Sequence, residues 1–394
     1  MSGENSDAPR RRKVGPGAVR PAHDGDTAGA KRRFARLFVV AALAYNLPVV
    51  RRISVIVLAV LAVAVAAWSA FWQHAAGDIE QRLAAWADKQ RAAGMTVEHG
   101  PVEVSGYPFT WRVEVADPRL AGVGATQWAW RGERVVLDLR PWAIRTVPAA
   151  FPGVHMLAAG TGDMARSFVL SAARPEGRFE LDGTGKLALL VLDLESVVVR
   201  EPPSPSITRV GRAEVRIRPF RGVSEADYRT DTLGSALRLV DVALPERPSN
   251  GLGQTIAHAE LDTSFKGQLA PGPLADSVAR WRDQGGVVEI NRLALAWGPL
   301  DVDGDGTVTL DALNRPLGAF TMRVRGYNET VDAVAAAGLI RPREAAGLKV
   351  ALNLFARPGQ NGGPAQLTVP LSAQDGRLLV AGFNLTRLDP IDFR

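Results

Sequence analysis

One apolar segment constrains this chain more than any other feature of the sequence. Residues 53–72 read ISVIVLAVLAVAVAAWSAFW, a run of twenty residues without a charged side chain. At roughly 1.5 Å per residue, a helix of this length rises about 30 Å, which is the thickness of the hydrocarbon core of a bilayer. The segment therefore predicts a transmembrane helix, with the rest of the chain outside the hydrocarbon core.

The charges around this segment predict its orientation. Arg51 and Arg52 stand immediately before it, and residues 1–52 hold eleven basic side chains against four acidic ones. The rest of the chain holds 36 basic and 37 acidic residues. Because basic residues are retained on the cytoplasmic side, we predict that residues 1–52 are cytoplasmic and that the chain beyond residue 72 is exported. The exported part has no basic excess with which to bind phosphate, so we expect no nucleic acid partner.

Two properties favour an uncleaved anchor over a cleaved signal peptide. The apolar core of a signal peptide runs for roughly 7–15 residues and ends at small side chains. Residues 53–72 are longer and end in Phe71 and Trp72. Residues 1–52 are predicted to be a disordered basic tail, with residues 34–50 as a candidate interfacial helix. The absence of cysteine excludes disulfides, thiolate catalysis and Cys-ligated metal sites.

Short runs of alternating polar and apolar residues dominate the chain after the anchor. Alternation with period two is typical of antiparallel strands that have one wet and one apolar face. The predicted fold class is mainly β (α+β), in which the transmembrane helix precedes an elongated, curved antiparallel β-sheet ectodomain with a few packed helices. The predicted strands are residues 97–104, 110–115, 127–130, 135–139, 178–181, 186–194, 196–200, 213–217, 287–297, 300–310, 317–325, 348–356, 366–371 and 377–385.

Helical spacing predicts three helices in the same part of the chain. The first covers residues 78–94, the second residues 273–282, and the third residues 329–347, where Pro342 breaks or kinks it. Residues 224–240 fit a helix or a further strand. The packed face of the first helix is predicted to consist of Ile79, Leu83, Trp86 and Ala87.

The predicted domain organisation follows from these elements. A tail (residues 1–52) and an anchor (residues 53–72) precede a β-rich periplasmic domain (residues 78–394). A helix that bears a tryptophan, followed by glycine and a hairpin, occurs twice in this domain. We therefore expect two similar halves, residues 78–220 and 270–394, although convergent use of one motif explains the pattern equally well.

No pattern in the sequence predicts a catalytic, cofactor-binding or metal-binding residue. Asp301-Val-Asp-Gly-Asp-Gly begins like a calcium-binding loop, but Ala312 stands where the bidentate carboxylate is required. The five histidines are isolated, and the common phosphate-binding, dinucleotide-binding and nucleophile motifs are absent. Trp128 and Trp130 share one strand face and are candidates for the lining of an apolar groove, with ordinary core packing as the alternative.

Several motifs, taken in order, resemble a known bacterial family. They are Val104-Ser-Gly-Tyr-Pro, Asp117-Pro-Arg-Leu, Trp128-Ala-Trp, Leu139-Arg-Pro-Trp, Trp297-Gly-Pro-Leu-Asp-Val-Asp-Gly-Asp-Gly, Arg325-Gly-Tyr and Gln374-Asp-Gly-Arg-Leu. Over residues 55–385 the chain resembles domain of unknown function 2125 (DUF2125). The resemblance implies a membrane-anchored envelope protein of Gram-negative bacteria and supplies no catalytic residues. Residues 303–310 and 320–338 are more distantly similar to AsmA-like envelope proteins, which are linked to phospholipid handling between membranes.

The anchor, the one-sided strands and the nine tryptophans lead to one functional expectation. We expect a non-catalytic, single-pass protein of the inner membrane, with its bulk in the periplasm, that holds phospholipid or another apolar ligand in a groove of the sheet. One alternative is an envelope scaffold that binds a partner protein of unknown identity. The other is a periplasmic hydrolase with a dispersed site, which predicts a His, Ser or carboxylate pair in a concave apolar pocket. We expect no cofactor.

Overall fold

The computed structural model describes residues 49–122, 128–160, 166–219, 231–245, 251–269, 274–358 and 365–393. The predicted tail up to residue 48, and with it most of the candidate interfacial helix, lies outside the described residues. The chain divides between Phe71 and Trp72 into two compact units. The predicted domain boundaries and the two predicted halves stay predictions.

Helix α1, Val49–Ala92, is 44 residues long and runs through the division between the units. In the first unit its aliphatic side chains, such as Leu58 and Leu61, are exposed. Among the described residues it is the one helix that is long and apolar enough to cross a membrane. Its length and composition agree with the predicted single-pass anchor.

In the second unit α1 packs through one narrow stripe. Ala87 is fully buried, and Ile79 and Leu83 are half-buried. These residues recur every four positions, so they lie above one another on the helix. The prediction that Trp86 belongs to this face is wrong, because its side chain is exposed. Trp86 lies about 100° around the helix from Ala87 and falls outside the stripe.

The second unit is mainly β, as predicted, and its strand pairs are antiparallel in the described residues. The sheet is open. Its strands are β1 (Thr96–Glu98), β2 (Val102–Ser105), β3 (Trp111–Ala116), β4 (Arg119–Gly122), β5 (Trp128–Gly132), β6 (Arg134–Leu139), β7 (Thr146–Ala150), β8 (Val154–Ala159), β9 (Arg166–Ser171), β10 (Arg174–Leu181), β11 (Leu187–Arg200), β12 (Ile207–Pro219), β13 (Asp231–Ala243), β14 (Thr255–Lys266), β15 (Val287–Trp297), β16 (Leu300–Leu310), β17 (Pro316–Arg325), β18 (Gln366–Gln374), β19 (Arg377–Val380) and β20 (Phe383–Arg387). The further helices are α2 (Leu274–Asp283), α3 (Tyr327–Ala336) and α4 (Pro342–Phe355).

The sheet forks within β11. Residues 187–195 of this strand pair with β10, whereas residues 198–200 pair with β9. Ser196 lies between the two stretches and has a φ of 52°, which few residues other than glycine adopt. The first branch consists of β1, β4, β5, β8 and β9, and the second branch of β2, β3, β6, β7 and β10. From β11 to β20 each strand pairs with the next along the chain, and we call this part the long sheet.

The long sheet has an apolar face and a charged face. Residues paired across neighbouring strands point to the same side, so the register assigns each residue to a face. The apolar face contains the row Leu192, Val215, Leu237, Leu261, Leu293, Gly304, Met322 and Val369. The charged face contains the adjoining row Asp193, Glu214, Arg238, Glu260, Ala294, Asp303, Arg323 and Thr368.

Helix α2 packs on the apolar face of the long sheet. Trp281 of this helix is buried and stacks on Phe265 of β14, with the ring centroids 4.9 Å apart. Its indole Nε1 also donates a 2.6 Å hydrogen bond to the carbonyl oxygen of Lys266. Phe265 lies four residues beyond Leu261 on the same strand and therefore points to the same side.

Helices α3 and α4 pack on each other, and Tyr327 Oη donates a 2.8 Å hydrogen bond to Asn353 Oδ1 between them. Pro342 stands at the start of α4. The first N–H groups of a helix have no partner within the helix, so the missing N–H of proline costs no hydrogen bond there and a new helix can begin at this residue. The break that was predicted at Pro342 within residues 329–347 is therefore confirmed, whereas the prediction of a strand over residues 348–356 is wrong. The undecided segment 224–240 forms β13 in its described part.

Candidate functional site

An apolar cavity of about 310 Å³ lies at the fork of the sheet. The first branch contributes Trp130 and Leu170 to its wall, and the second branch contributes Phe179. Its floor is β11, whose lining residues recur with period two because alternate side chains of a strand point to one face. They are Leu190, Leu192 and Leu194. The volume falls within the range of roughly 300–1,000 Å³ that is typical of small-molecule sites.

Two polar side chains, His155 and Ser171, stand in the wall of this cavity. His155 Nε2 donates a 2.7 Å hydrogen bond to the carbonyl oxygen of Phe151. The imidazole lies nearly parallel to the indole of Trp130, with centroids 5.8 Å apart and an interplanar angle of 7°. A Cβ atom at Gly132 would lie 2.8 Å from His155 Nδ1, so glycine leaves the space that the imidazole occupies. His155 is therefore fixed as part of an aromatic wall.

The hydrolase alternative predicted a His, Ser or carboxylate pair in such a pocket. His155 and Ser171 do line the same cavity, on neighbouring strands β8 and β9. Among the described hydrogen bonds, that of His155 goes to Phe151 rather than to Ser171. None of the described residues that line the cavity is a carboxylate.

The apolar surface of the cavity continues onto the long sheet. Leu192 lines the cavity and is also the first residue of the apolar row that crosses to Val369 on β18. Eight strands spaced about 4.8 Å apart give this row a length of about 34 Å. Leu237 and Leu261, in the middle of the row, are 38% and 39% exposed. The row therefore forms an apolar strip that starts in the cavity and is partly open to solvent.

Ion pairs cover the opposite, charged face. Glu260 accepts a 2.9 Å hydrogen bond from Arg238 Nε and lies 3.0 Å from Arg292 Nε. Burial of the Glu260 carboxyl raises its pKa, but the hydrogen bond and the charges of the two arginines outweigh burial, so the pKa lies below its ordinary value. Ion pairs thus cover much of this face, whereas the apolar row from Leu192 to Val369 lies on the other face.

The Asp-Gly-Asp-Gly motif has a structural explanation on the same strands. Asp303 lies on the charged face, 2.7 Å from Arg323 Nε and 2.8 Å from Arg325 Nη2. Burial raises the pKa of Asp303, but these arginines lower it by more, and it lies below its ordinary value. Gly304 faces the other side, where a Cβ atom would collide with the sulfur of Met322. In this motif the aspartates form ion pairs on one face of the strand, and the glycines leave space for the apolar row on the other. In the described residues no group of three or more potential ligands could hold a metal ion.

The two candidate groove residues have different positions. Trp130 lines the cavity, whereas Trp128 is partly exposed and its ring lies against Gly122. The sequence reasoning did not place Phe179 and the leucines of β11 in the site. The period-two recurrence of Leu190, Leu192 and Leu194 was the available signal, although it does not reveal which strand lies opposite.

These features define a class of protein: an open antiparallel β-sheet with an apolar cavity at its fork, preceded by a helix that can cross a membrane. Within this class, the chain belongs to the DUF2125 family, described as "Uncharacterized protein conserved in bacteria", which matches residues 72–389. The resemblance found in the sequence motifs is therefore confirmed. Comparisons with curated proteins and with solved structures found no match.

Proposed function

We propose that this protein binds a lipid acyl chain in the cavity at the fork, as a non-catalytic protein of the inner membrane with its bulk in the periplasm. The observation that carries the proposal is the chemistry of the cavity wall. Leucines, aromatic rings and proline form nearly all of it, and its histidine is already hydrogen-bonded to the backbone. A site of this kind favours an apolar ligand because it offers few partners to a polar one.

The size of the cavity fits part of one acyl chain. A volume of about 310 Å³ holds roughly ten methylene groups if each takes the ~30 Å³ of a liquid water molecule. At ~0.8 kcal/mol for each buried methylene, ten groups contribute about 8 kcal/mol before the cost of immobilising the chain. Micromolar or weaker binding is therefore expected from the cavity alone, and the apolar strip offers further contact to a longer chain.

The position of the folded unit along the chain supports a lipid as the ligand. This unit begins at Trp72, the last residue of the apolar segment 53–72. If the segment spans a bilayer, the covalent link keeps the cavity close to a high concentration of acyl chains. The AsmA-like resemblance, which stays a prediction, points to the same ligand class.

Photo-crosslinking tests the proposal. The full-length protein is reconstituted in nanodiscs that contain phospholipid with a diazirine in one acyl chain, irradiated, and digested for mass spectrometry. We expect crosslinks on β10 and β11 in addition to those on the anchor. Leu192→Trp fills the cavity and should reduce these crosslinks at least fivefold. Thr321→Trp places the same side chain at an exposed position of the charged face and should leave them unchanged.

Two results would contradict the proposal. One is crosslinking confined to the anchor in the wild-type protein. The other is equal labelling of β11 in the wild type and in Leu192→Trp, provided that the circular dichroism spectrum and unfolding temperature of the variant show a folded protein.

A further inference from the structure

Exposed aromatic and aliphatic side chains concentrate at one end of the second branch. Tyr107 and Phe109 lie in the turn between β2 and β3, and Trp142 and Ile144 lie in the connection between β6 and β7. All four side chains are between 50% and 66% exposed. Because Trp111 at the start of β3 pairs with Leu139 at the end of β6, the two segments project side by side. We call them the paired turns.

The first of the paired turns is held against Trp72. Trp72 Nε1 donates a 2.9 Å hydrogen bond to the carbonyl oxygen of Thr110, and Trp111 Nε1 donates a 3.2 Å hydrogen bond to the carbonyl oxygen of Trp72. The rings of Trp72 and Tyr107 meet edge to face with centroids 5.6 Å apart. Three contacts thus fix the turn to one residue.

Trp72 marks where the chain leaves the apolar segment. It is the last of the twenty uncharged residues 53–72, and the helix continues into the polar sequence Gln73-His74. In a helix that spans a bilayer, tryptophan at this position lies at the level of the lipid headgroups. Side chains fixed beside Trp72 must lie near the same level.

The chemistry of the paired turns matches that environment. Aromatic side chains are enriched at membrane interfaces because each has an apolar body and, in tyrosine and tryptophan, a polar group. Two exposed arginines, Arg140 and Arg145, flank Trp142 and Ile144 and could pair with lipid phosphates. Large apolar side chains clustered on a surface indicate a partner that covers them.

We propose that the paired turns insert into the headgroup region of the bilayer, on the side to which residues 72–394 are exported. Trp72 and the two turns then form three attachment points for the folded unit. The folded unit then contacts the bilayer through this end of the second branch. This inference depends on the membrane span and is independent of the ligand of the cavity.

The natural chain contains no cysteine, so single labels can be placed without background. Phe109→Cys and Trp142→Cys, each in the full-length protein, are labelled with an environment-sensitive NBD probe and reconstituted in vesicles of phosphatidylethanolamine and phosphatidylglycerol. Leu313→Cys is the matched control, because Leu313 is an apolar residue of another turn and is 60% exposed.

We expect blue-shifted NBD emission at positions 109 and 142, with at least threefold weaker quenching by aqueous iodide than at position 313. A nitroxide attached to the lipid headgroup should quench the first two positions and spare the third. Equal iodide quenching at all three positions would overturn the proposal. Protection in native membranes but not in pure lipid vesicles would also overturn it, and would assign the paired turns to a protein partner.

Discussion

The forked part of the sheet and the long sheet use the same strand pattern with different results. In the fork, apolar side chains lie between two branches, and Val113 of β3 is 2% exposed. In the long sheet, α2 packs on the apolar face at Phe265 of β14, whereas Leu261 of the same strand is 39% exposed. Both strands alternate polar and apolar residues, so the alternation does not decide the burial. Burial depends instead on whether another part of the fold covers the strand face.

The cavity lies where the forked part of the sheet joins the long sheet. Leu190, Leu192 and Leu194 on β11 belong to the apolar face of the long sheet, but the first branch lies opposite them. Because the strand changes neighbour at Ser196, the branches separate there and leave space between their side chains. An apolar cavity is thus a geometric consequence of the fork, and its continuation onto the strip follows from the shared face.

The largest effect is expected from a core residue of the fork. Trp111→Ala removes a buried indole and its hydrogen bond to Trp72, and large-to-small substitutions of this kind cost about 3–5 kcal/mol. Urea unfolding of the full-length protein in detergent, followed by near-ultraviolet circular dichroism, measures the change. A loss below about 1 kcal/mol would mean that the fork is not the stable core of the unit.

The charged face of the long sheet is expected to show an intermediate, pH-dependent effect. Glu260→Gln removes the charge that Arg238 and Arg292 share, and hydrogen bonds to charged groups contribute about 1.5–3 kcal/mol. His258 Nε2 also lies 3.5 Å from Glu260. Because the pKa of folded Glu260 lies below its ordinary value of 4.5, the folded state binds fewer protons than the unfolded state. This stability is present above pH 4.5 and is lost as the pH falls through the folded pKa.

Unfolding temperatures measured from pH 7 to pH 3 test this prediction. The wild type should lose more stability than Glu260→Gln between pH 5 and pH 3, with part of the remaining loss coming from Asp303, whose pKa is also lowered. Glu329→Gln, at an exposed position of α3, is the control and should follow the wild type. Identical pH profiles for the wild type and Glu260→Gln would show that this carboxylate does not stabilise the charged face.

Local features of the sequence predicted the elements better than their arrangement. The break between the predicted strands 186–194 and 196–200 coincides with Ser196, where the backbone has a positive φ and a polar residue interrupts the apolar alternation. The fork itself was not predictable, since it depends on which distant strands pair with each half of β11. Residues 348–356 were predicted as a strand because Val350, Leu352 and Leu354 alternate, whereas the helix that begins at Pro342 continues through these residues to Phe355. Trp130 was identified as a groove residue, but Phe179 reaches the same cavity only through strand pairing.

The smallest effect on stability is expected on the apolar strip, and this prediction tests the comparison most directly. Leu261→Ala removes a partly exposed side chain, so it should cost less than about 1 kcal/mol, whereas a fully buried leucine costs about 2–5 kcal/mol. The same unfolding assay applies. Ala294→Gly and Ala259→Gly are unsuitable as controls because glycine changes the freedom of the backbone. The replicate is Leu237→Ala, which lies in the same row and is 38% exposed.

If Leu261→Ala and Leu237→Ala each lost 2 kcal/mol or more, the strip would be covered in the folded protein, and the difference between the two regions would disappear. If both stay near the wild type while acyl crosslinking on β13 and β14 falls, the strip is a binding surface with little role in folding.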